Sequence, residues 1–409
     1  MRLLFLTPQL PYPPRQGTAL RNWGLIRHLA ARRHEVWLLT FDEAPHTPLP
    51  ALLGETCARV VRIPAPRRTH RQRLRTLLTS ALPDIAWRLW SPAFLSTLRD
   101  LLSGHHFDVV QVEGIELARY GMALTREAGR LPARLVFDDH NCEYLLQQRT
   151  FQVDMRSPLR WHAALYSLVQ WQRLRVFERR AARVASLTLC VSEQDAQALR
   201  RLDAQLDPQV IPNGIDVAEY ASATPSQSSG APTLVFTGKM DFRPNVNAML
   251  WFSRAVWPTV KAAHPQARLL IVGQKPSARL DGLRNDPSIC LTGEVEDVRP
   301  YIAQADVYVA PLQAGGGTRF KLLEAMSMRK AIVTTTLGCE GFEVASGREM
   351  IIADSAAEFA GAVNELLRSP ARRKELGERA YRFVSARYDW TRIVPSLEAL
   401  YQDLLRPKR

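Results

Sequence analysis

Short apolar runs alternate with amphipathic stretches along most of the chain, and this alternation constrains the fold more than any other feature. In the first half the runs are RLLFLT (2–7), EVWLLTF (35–41), FDVVQVE (107–113), RLVFDD (134–139) and LTLCV (187–191). The pattern restarts further on as TLVFTG (233–238), ARLLIVG (267–273), DVYVAP (306–311), KAIVTT (330–335) and MIIA (350–353). Near-continuous apolar strands joined by helical stretches are typical of parallel sheets covered on both faces. We therefore expect an α/β protein with two Rossmann-like, doubly wound domains that face a cleft.

The domain boundary is predicted in the segment IPNGIDVAEYASATPSQSSGAP (211–232), which is rich in Pro, Gly, Asn and Ser. The length of 409 residues supports two domains, because single cores stop growing near about 250–300 residues. We predict an N-terminal domain over 1–212, a C-terminal domain over 213–385, and a final helix over 386–409 that packs back on the first domain. Pro395 is expected to interrupt or kink that helix.

The formal net charge of +14 is concentrated in the first half of the chain. Residues 1–200 hold 28 Lys and Arg against 17 Asp and Glu, an excess of 11. Two stretches, 67–90 and 159–185, interleave Arg with Leu and Trp, a pattern that suits an anionic membrane surface. A solvated, arginine-rich helix face is the open alternative. Nucleic acid is not predicted as a partner, because no helix-turn-helix, zinc or RNP-type pattern accompanies the charge.

Cysteine usage and apolar run lengths predict the compartment. The five cysteines are far apart and form no C-x-x-C pair, so we expect free thiols in a reducing environment. No run approaches membrane-spanning length, and the start of the chain lacks the pattern of a signal peptide. We predict a cytoplasmic protein that binds peripherally to the inner face of the plasma membrane.

The second half contains a strand, a glycine-rich turn and a helix in DVYVAPLQAGGGTRFKLLEAM (306–326). Gly315–Gly317 allow the backbone to approach a ligand, and the following helix offers free amides to an anion. Lys321 and Glu324 are three residues apart and share a helix face, where Lys321 would bind phosphates and Glu324 ribose hydroxyls. An exposed ion pair is the simpler alternative.

Two further segments carry candidate residues. In LVFTGKMDFRPN, Gly238 ends an apolar strand, and Lys239 and Arg243 follow on the loop, where both could face the same diphosphate. For Arg243, plain surface exposure is equally compatible. In VFDDHNCEY, His140 follows a buried strand, and Asp139 with His140 could form an acid–base pair. A structural histidine competes with that role, and a single nearby histidine predicts no metal site.

The P-P-x-x-G turn that ends at Gly17, the IPNGID segment, the G-K after residue 237 and the turn into K-L-L-E-A-M together resemble glycosyltransferase family 4, which has the GT-B fold. VFDDHNCEY, FTGKMDFRPNVNAMLWF and GGGTRFKLLEAM are similar to the sugar transferases found with exosortase and PEP-CTERM exopolysaccharide gene clusters. The resemblance covers the whole chain.

The resemblance implies a role for each matching residue. Glu324 is the second glutamate of the family's E-x7-E motif and binds ribose, whereas the first glutamate falls on Gly316. Gly317 and Thr318 then bind the sugar through backbone amides. The remaining implied contacts are the donor diphosphate with Lys239 and Lys321, the donor phosphates with the loop at Gly17, and the transferred sugar with His140.

The implied activity is retaining, metal-independent transfer of a hexose from a nucleoside-diphosphate sugar to a growing, lipid-linked polysaccharide acceptor, without a cofactor. Two alternatives stay open. One is a nucleotide-sugar epimerase of GT-B architecture. The other is a catalytically impaired, membrane-attached scaffold, which the missing first glutamate alone favours.

Overall fold

The computed structural model describes residues 1–14, 16–127, 133–155, 158–222, 230–314 and 318–406. It divides into two compact units. The first contains Met1–Pro212 together with Ile393–Arg409, and the second contains Asn213–Arg392.

The first unit is built on one sheet of seven parallel strands in the order β3-β2-β1-β4-β5-β6-β7. Its strands are β1 (Arg2–Thr7), β2 (Glu35–Asp42), β3 (Arg59–Pro64), β4 (Val109–Glu113), β5 (Arg134–Asp139), β6 (Leu187–Cys190) and β7 (Gln209–Val210). The central strands β1 and β4 are buried along nearly their whole length, as the near-continuous apolar runs predict. The order reverses at β1, so the carboxyl ends of β1 and β4 meet where doubly wound sheets bind ligands.

Helices cover this sheet. They are α1 (Gly17–Ala31), α2 (Ala51–Thr56), α3 (His70–Thr79), α4 (Ile85–Arg88), α5 (Pro92–Gly104), α6 (Ala118–Glu127), α7 (Glu143–Met155), α8 (Trp161–Val184) and α9 (Glu193–Leu202). Serine caps explain two of the starts, because Ser91 accepts from the Phe94 amide and Ser192 from the Asp195 amide.

The second unit has a sheet of six parallel strands in the order β10-β9-β8-β11-β12-β13. Its strands are β8 (Thr233–Thr237), β9 (Arg268–Val272), β10 (Ile289–Gly293), β11 (Val307–Ala310), β12 (Ala331–Thr334) and β13 (Ile351–Ile352). Its helices are α10 (Val217–Ala221), α11 (Arg243–Trp251), α12 (Trp257–Ala263), α13 (Arg299–Gln304), α14 (Phe320–Ser327), α15 (Ala356–Arg368) and α16 (Pro370–Arg387). A final helix, α17 (Trp390–Leu405), begins in this unit and continues into the first.

Three strands were missing from the sequence prediction. Strands β3, β7 and β10 are short or partly exposed, so they lack the long apolar runs that marked the others. Pro395 was expected to interrupt or kink the last helix. The predicted interruption was wrong, because α17 continues through Pro395. Its face of Val394, Leu397 and Tyr401 is fully buried. Burying these side chains offsets the cost of a proline inside a helix, about 3 kcal/mol, which comes from one lost backbone hydrogen bond and a steric clash with the preceding turn.

Candidate functional site

In the second unit, the turns that follow β8 and β9 approach each other closely, and a glycine with positive φ in each turn permits this contact. A Cβ on Gly273 (φ +154°) would lie 1.8 Å from the carbonyl oxygen of Gly238, so a side chain cannot fit there. A Cβ on Gly238 (φ +149°) would lie 2.8 Å from both Asn245 Nδ2 and Lys321 Nζ. The bare backbone at Gly238 therefore gives Lys321, on α14, access to the carboxyl end of β8.

The ammonium of Lys321 is held at this strand end by two neighbours. Its Nζ donates to Asn245 Oδ1 at 2.9 Å and lies 4.0 Å from the centroid of the Phe236 ring. Asn245 is fixed in turn, because its Nδ2 donates to the carbonyl of Lys239 at 2.9 Å. Burial, followed by the charge of Arg319, lowers the pKa of Lys321 to about 7. A neighbouring anion would restore its positive charge.

Glu324 lies one turn further along α14. Its Oε1 accepts a hydrogen bond from the hydroxyl of Tyr220 at 3.2 Å, and Tyr220 is on α10, just beyond the IPNGID segment. Burial raises the pKa of Glu324 to about 7. Together, a cation and an acceptor about one helical turn apart suit an elongated ligand with phosphates at one end and hydroxyls at the other.

The structure places the other predicted donor-site residues as follows. Lys239 is half-exposed, with its Nζ 3.5 Å from Asp241 Oδ2, and the exposed Arg243 begins α11. Thr318 is 7 % exposed, and its Oγ1 has no hydrogen-bond partner among the residues the structure describes. The predictions for Gly316 and Gly317 lie outside the described residues. In the first unit, Gly17 is exposed at the start of α1.

At the carboxyl edge of the first unit's sheet, two buried acids meet two basic side chains. Arg21 donates to both oxygens of Asp138, at 2.9 and 3.0 Å. His140 Nε2 lies 2.7 Å from Glu113 Oε2. Burial opposes charge on His140, but its hydrogen bond with Glu113 and the charges of Asp138 and Glu113 raise its pKa above the ordinary value. The network therefore stabilises an imidazolium at position 140.

The suggested Asp139–His140 pair was wrong. Successive strand residues point to opposite faces, so Asp139 is directed away from the partners of His140 and lies beside Glu178. Glu178 accepts from the backbone amides of Glu143 (2.8 Å) and Tyr144 (3.0 Å) at the start of α7. Burial, with the charge of Glu178 next, raises the pKa of Asp139 well above its ordinary range.

The prediction of no metal site near His140 rested on finding a single histidine nearby in the sequence. The fold brings possible ligand atoms of Glu113, Asp138 and His140 to within 4.8 Å of one another, and a second group joins Asp139, Cys142 and Glu178. In the first group Arg21 already supplies a positive charge to both oxygens of Asp138. We interpret that group as an ion-pair network.

Sequence reasoning missed four residues that organise these sites: Arg21, Glu113, Tyr220 and Asn245. Two of them left a signal. Glu113 is the one charged residue of β4, which otherwise holds three valines and Gln111, and Arg21 lies among the buried residues of α1. A buried charge requires a partner, so both could have been flagged as parts of a network.

Comparison with known proteins gives two family matches in chain order. Residues 16–219 match the model of Glycosyltransferase Family 4, and residues 231–369 match that of Glycosyl transferases group 1. Among curated proteins, the chain is similar to the phosphatidyl-myo-inositol mannosyltransferases of Propionibacterium freudenreichii (26 % identity; 56 % of this chain and 58 % of the relative) and Mycolicibacterium smegmatis (30 %; 48 % and 52 %). The chain thus spans about half the length of the curated relatives it matches.

Similarity to solved structures extends along nearly the whole chain. A sucrose-phosphate synthase from Thermosynechococcus elongatus matches with a TM-score of 0.76, 18 % identity and 99 % of each chain covered. HepE of Anabaena, solved with UDP and glucose, matches with a TM-score of 0.67, 14 % identity, and 98 % and 99 % covered. With two family models matched in order on this shared architecture, the chain belongs to the glycosyltransferases of the GT-B fold, with a family 4 domain followed by a group 1 domain.

Proposed function

We propose that the protein is a retaining glycosyltransferase that moves a hexose from a nucleoside-diphosphate sugar to a growing, lipid-linked polysaccharide acceptor. The observation that carries the proposal is the pairing of Lys321 and Glu324 on one face of α14, with Lys321 held against Gly238. The names of similar proteins support it, since they include mannosyltransferases that act on phosphatidyl-myo-inositol and a protein bound to UDP. The sequence resemblance favours an exopolysaccharide as the product.

In the proposed donor site, Lys321 binds the diphosphate and Glu324 accepts from the ribose hydroxyls. Lys239 adds a second positive charge, and the backbone amide of Thr318 faces the donor. These groups stabilise the charge that develops on the leaving diphosphate, and removing one preorganised donor of this kind typically costs about 3 kcal/mol of barrier. The proposed chemistry needs no metal or cofactor.

In the proposed reaction, the bond from the anomeric carbon to the diphosphate oxygen breaks while the acceptor hydroxyl attacks on the same face. The hydroxyl proton passes to the departing phosphate oxygen. A glycosidase-type carboxylate pair is not required, because the leaving group departs with its own charge stabilised. His140 faces the transferred sugar in this proposal, and Glu113 fixes the orientation of its ring.

Calorimetric titration with UDP and with GDP tests the donor site. We expect one of the two nucleotides to bind, and Lys321→Ala and Glu324→Ala each to weaken it at least about tenfold, the equivalent of about 1.4 kcal/mol. Lys330→Ala is the matched control. Lys330 is also a largely buried lysine of this unit, but its Nζ donates to the carbonyls of Ala303 and Ala305, before β11. Equal binding by wild type, Lys321→Ala and Glu324→Ala would exclude the assigned site.

Incubation with the donor sugar alone separates the enzymatic alternatives. An epimerase converts the sugar without an acceptor, whereas a transferase releases the nucleoside diphosphate slowly until a lipid-linked acceptor is added. A protein that only serves as a scaffold does neither. Formation of an epimer would overturn the transferase proposal.

The proposal of a lipid-linked acceptor is supported by an exposed apolar surface on the first unit. Leu74 and Leu78 on α3 are 58 % and 75 % exposed, and Trp161 and Leu165 on α8 are 58 % and 63 % exposed. The two helices are neighbours, because α3 and Tyr166 of α8 line one cavity of about 220 Å³. No helix among the described residues could span a membrane. We propose that the α3–α8 surface lies in the interface of an anionic bilayer.

Vesicle sedimentation tests this surface. We expect the protein to pellet with phosphatidylglycerol vesicles and much less with phosphatidylcholine vesicles, because each Arg near an anionic leaflet contributes about 1 kcal/mol. The double variant Leu78→Glu/Leu165→Glu should remain in the supernatant. Leu52→Glu, at a half-exposed leucine on α2, is the matched control and should pellet as wild type does. Binding that is indifferent to the double substitution would refute the assignment.

A further inference from the structure

A continuous run of hydrogen bonds connects the last helix of the chain to His140 within the first unit. The hydroxyl of Tyr401, on α17, donates to Gln111 Oε1. Gln111 Nε2 donates to Glu113 Oε1 at 2.6 Å, and Glu113 Oε2 lies 2.7 Å from His140 Nε2. Tyr401, Gln111 and Glu113 are each at most 1 % exposed. Because water cannot compete at these positions, each group sets the orientation of the next.

The charges around this run are balanced in pairs. Arg21 is committed to both oxygens of Asp138, so His140 is the counter-charge of Glu113. A buried charge without a partner is strongly destabilising, so only two states are compatible with the network. Either Glu113 is a carboxylate and His140 an imidazolium, or both are neutral.

The hydrogen-bond donors around Glu113 select between these states. Gln111 donates to Oε1, and Asn22 donates to Oε2 at 2.8 Å when its side-chain amide is assigned the orientation that satisfies both its oxygen and its nitrogen. Both the carboxylate and the acid can accept these bonds, but hydrogen bonds to the ionised form are stronger, so the two donors favour the carboxylate. The hydroxyl of Tyr401 donates to the amide oxygen of Gln111, so the amide nitrogen stays directed at Glu113. Without that hydroxyl, the side-chain amide of Gln111 can rotate and direct its oxygen at Glu113. An amide oxygen is an acceptor, so it would stabilise the protonated form of Glu113.

We propose that Tyr401 and Gln111 are positioning residues that hold His140 as an imidazolium, so that its ring donates from Nδ1 to an oxygen of the substrate. The ring is 11 % exposed, and no described residue forms a hydrogen bond with Nδ1. A Cβ on Gly114 would lie 2.9 Å from Glu116 Oε2 and 3.6 Å from His140 Nδ1, so the glycine leaves this edge of the ring free of a side chain at position 114, with the carboxylate of Glu116 nearby. The raised pKa of His140 agrees with the charged state, whereas burial and the charge of Asp138 raise the pKa of Glu113 and oppose it. The hydrogen bonds donated to Glu113 therefore decide which state is held.

The groups that face His140 come from four elements. They are Glu113 from β4, Asp138 from β5, Arg21 from α1, and Glu116 from the turn after β4. Tyr401 from α17 interacts electrostatically with Glu113 and Asp138. Burial raises the pKa of Tyr401 well above its ordinary value, so it stays a hydrogen-bond donor over the useful pH range. The role of Nδ1 toward a substrate rests on the proposed function, whereas the charge of the ring does not.

The titration of His140 by NMR in full-length, ¹⁵N-histidine-labelled protein tests the proposal, with His140→Gln identifying the signal. In Tyr401→Phe we expect the pKa of His140 to fall by about one unit, the equivalent of about one buried hydrogen bond. Gln111→Met should act in the same direction and replaces Tyr401→Phe if that variant does not fold. Tyr144→Phe is the matched control, because it removes a buried hydroxyl that donates to the Ala198 carbonyl at 3.0 Å outside the network.

The pH profile of sugar transfer provides the second measurement. If charged His140 is the active form, activity declines as the pH rises through its pKa, and Tyr401→Phe should move that decline down by the same unit. An unchanged pKa of His140 in Tyr401→Phe and Gln111→Met, or an equal fall in Tyr144→Phe, overturns the proposal. If the pKa of His140 shifts as expected but the protein transfers no sugar from any donor, the positioning role of Tyr401 and Gln111 stands and the proposed function is refuted.

Discussion

Binding of a nucleoside diphosphate should draw a proton onto Lys321. Burial, then the charge of Arg319, lowers the pKa of this lysine to about 7. At pH 8, therefore, only about a tenth of the free protein carries the charge. A diphosphate beside Nζ supplies the missing opposite charge and returns the pKa toward its ordinary value of 10.5. Each bound nucleotide then takes up about 0.9 proton at pH 8.

Glu324 changes this count little. Its pKa of about 7 leaves it mostly ionised at pH 8, so it can release at most about 0.1 proton on binding. Because nucleotide binding takes up a proton, the affinity for the nucleotide depends on pH with a definite sign. Affinity should fall as the pH rises above 7, by up to about tenfold per unit until the pKa of the bound state is reached.

Calorimetric titration at pH 8 in two buffers with different ionisation enthalpies measures the uptake directly. Lys321→Arg is the decisive control, because a guanidinium is already charged and should bind the nucleotide without taking up a proton. Lys321→Met should bind weakly and also without uptake. Identical heats for the wild type in both buffers, despite normal binding, would refute the link between Lys321 and the diphosphate.

Three further outcomes are expected. Tyr220→Phe, which removes the hydroxyl donated to Glu324, should weaken nucleotide binding about fivefold by titration, as expected for one hydrogen bond of about 1 kcal/mol. Gly273→Ala should lower the free energy of unfolding by at least about 2 kcal/mol in urea, because its Cβ would overlap a backbone oxygen, whereas Gly282→Ala, with no atom near its Cβ, should change it by under about 0.5 kcal/mol. Asp139→Asn should lessen the loss of stability between pH 5 and 8, because an acid whose pKa is raised in the folded state destabilises that state as the pH rises from its unfolded pKa.

Each of these outcomes can fail in a way that identifies the error. Unchanged nucleotide affinity in Tyr220→Phe would show that the phenol does not position Glu324. Equal stability of the two glycine variants would contradict the close approach of the turns after β8 and β9. A pH dependence of unfolding that Asp139→Asn leaves unaltered would mean that the buried carboxyl is ionised throughout.

Local pattern was enough to predict that two residues of the proposed donor site lie on one face of one helix. Lys321 and Glu324 share a face of α14 because the helical repeat brings residues three apart together, whatever the rest of the chain does. Likewise, the apolar runs predicted β1, β4 and β8, because a buried central strand carries its signal in its own residues. Edge strands such as β3 carry a weaker signal.

The partners of His140 could not be obtained in the same way. The sequence by itself determined the two α/β series, the position of His140 after β5, and the Lys321–Glu324 pair. Only the tertiary structure decided that His140 pairs with Glu113, 27 residues away, and that Tyr401 reaches Gln111 across 290 residues. The physical reason is that helical and strand periodicity act over a few residues, whereas these contacts depend on which strands are neighbours and on where the final helix packs.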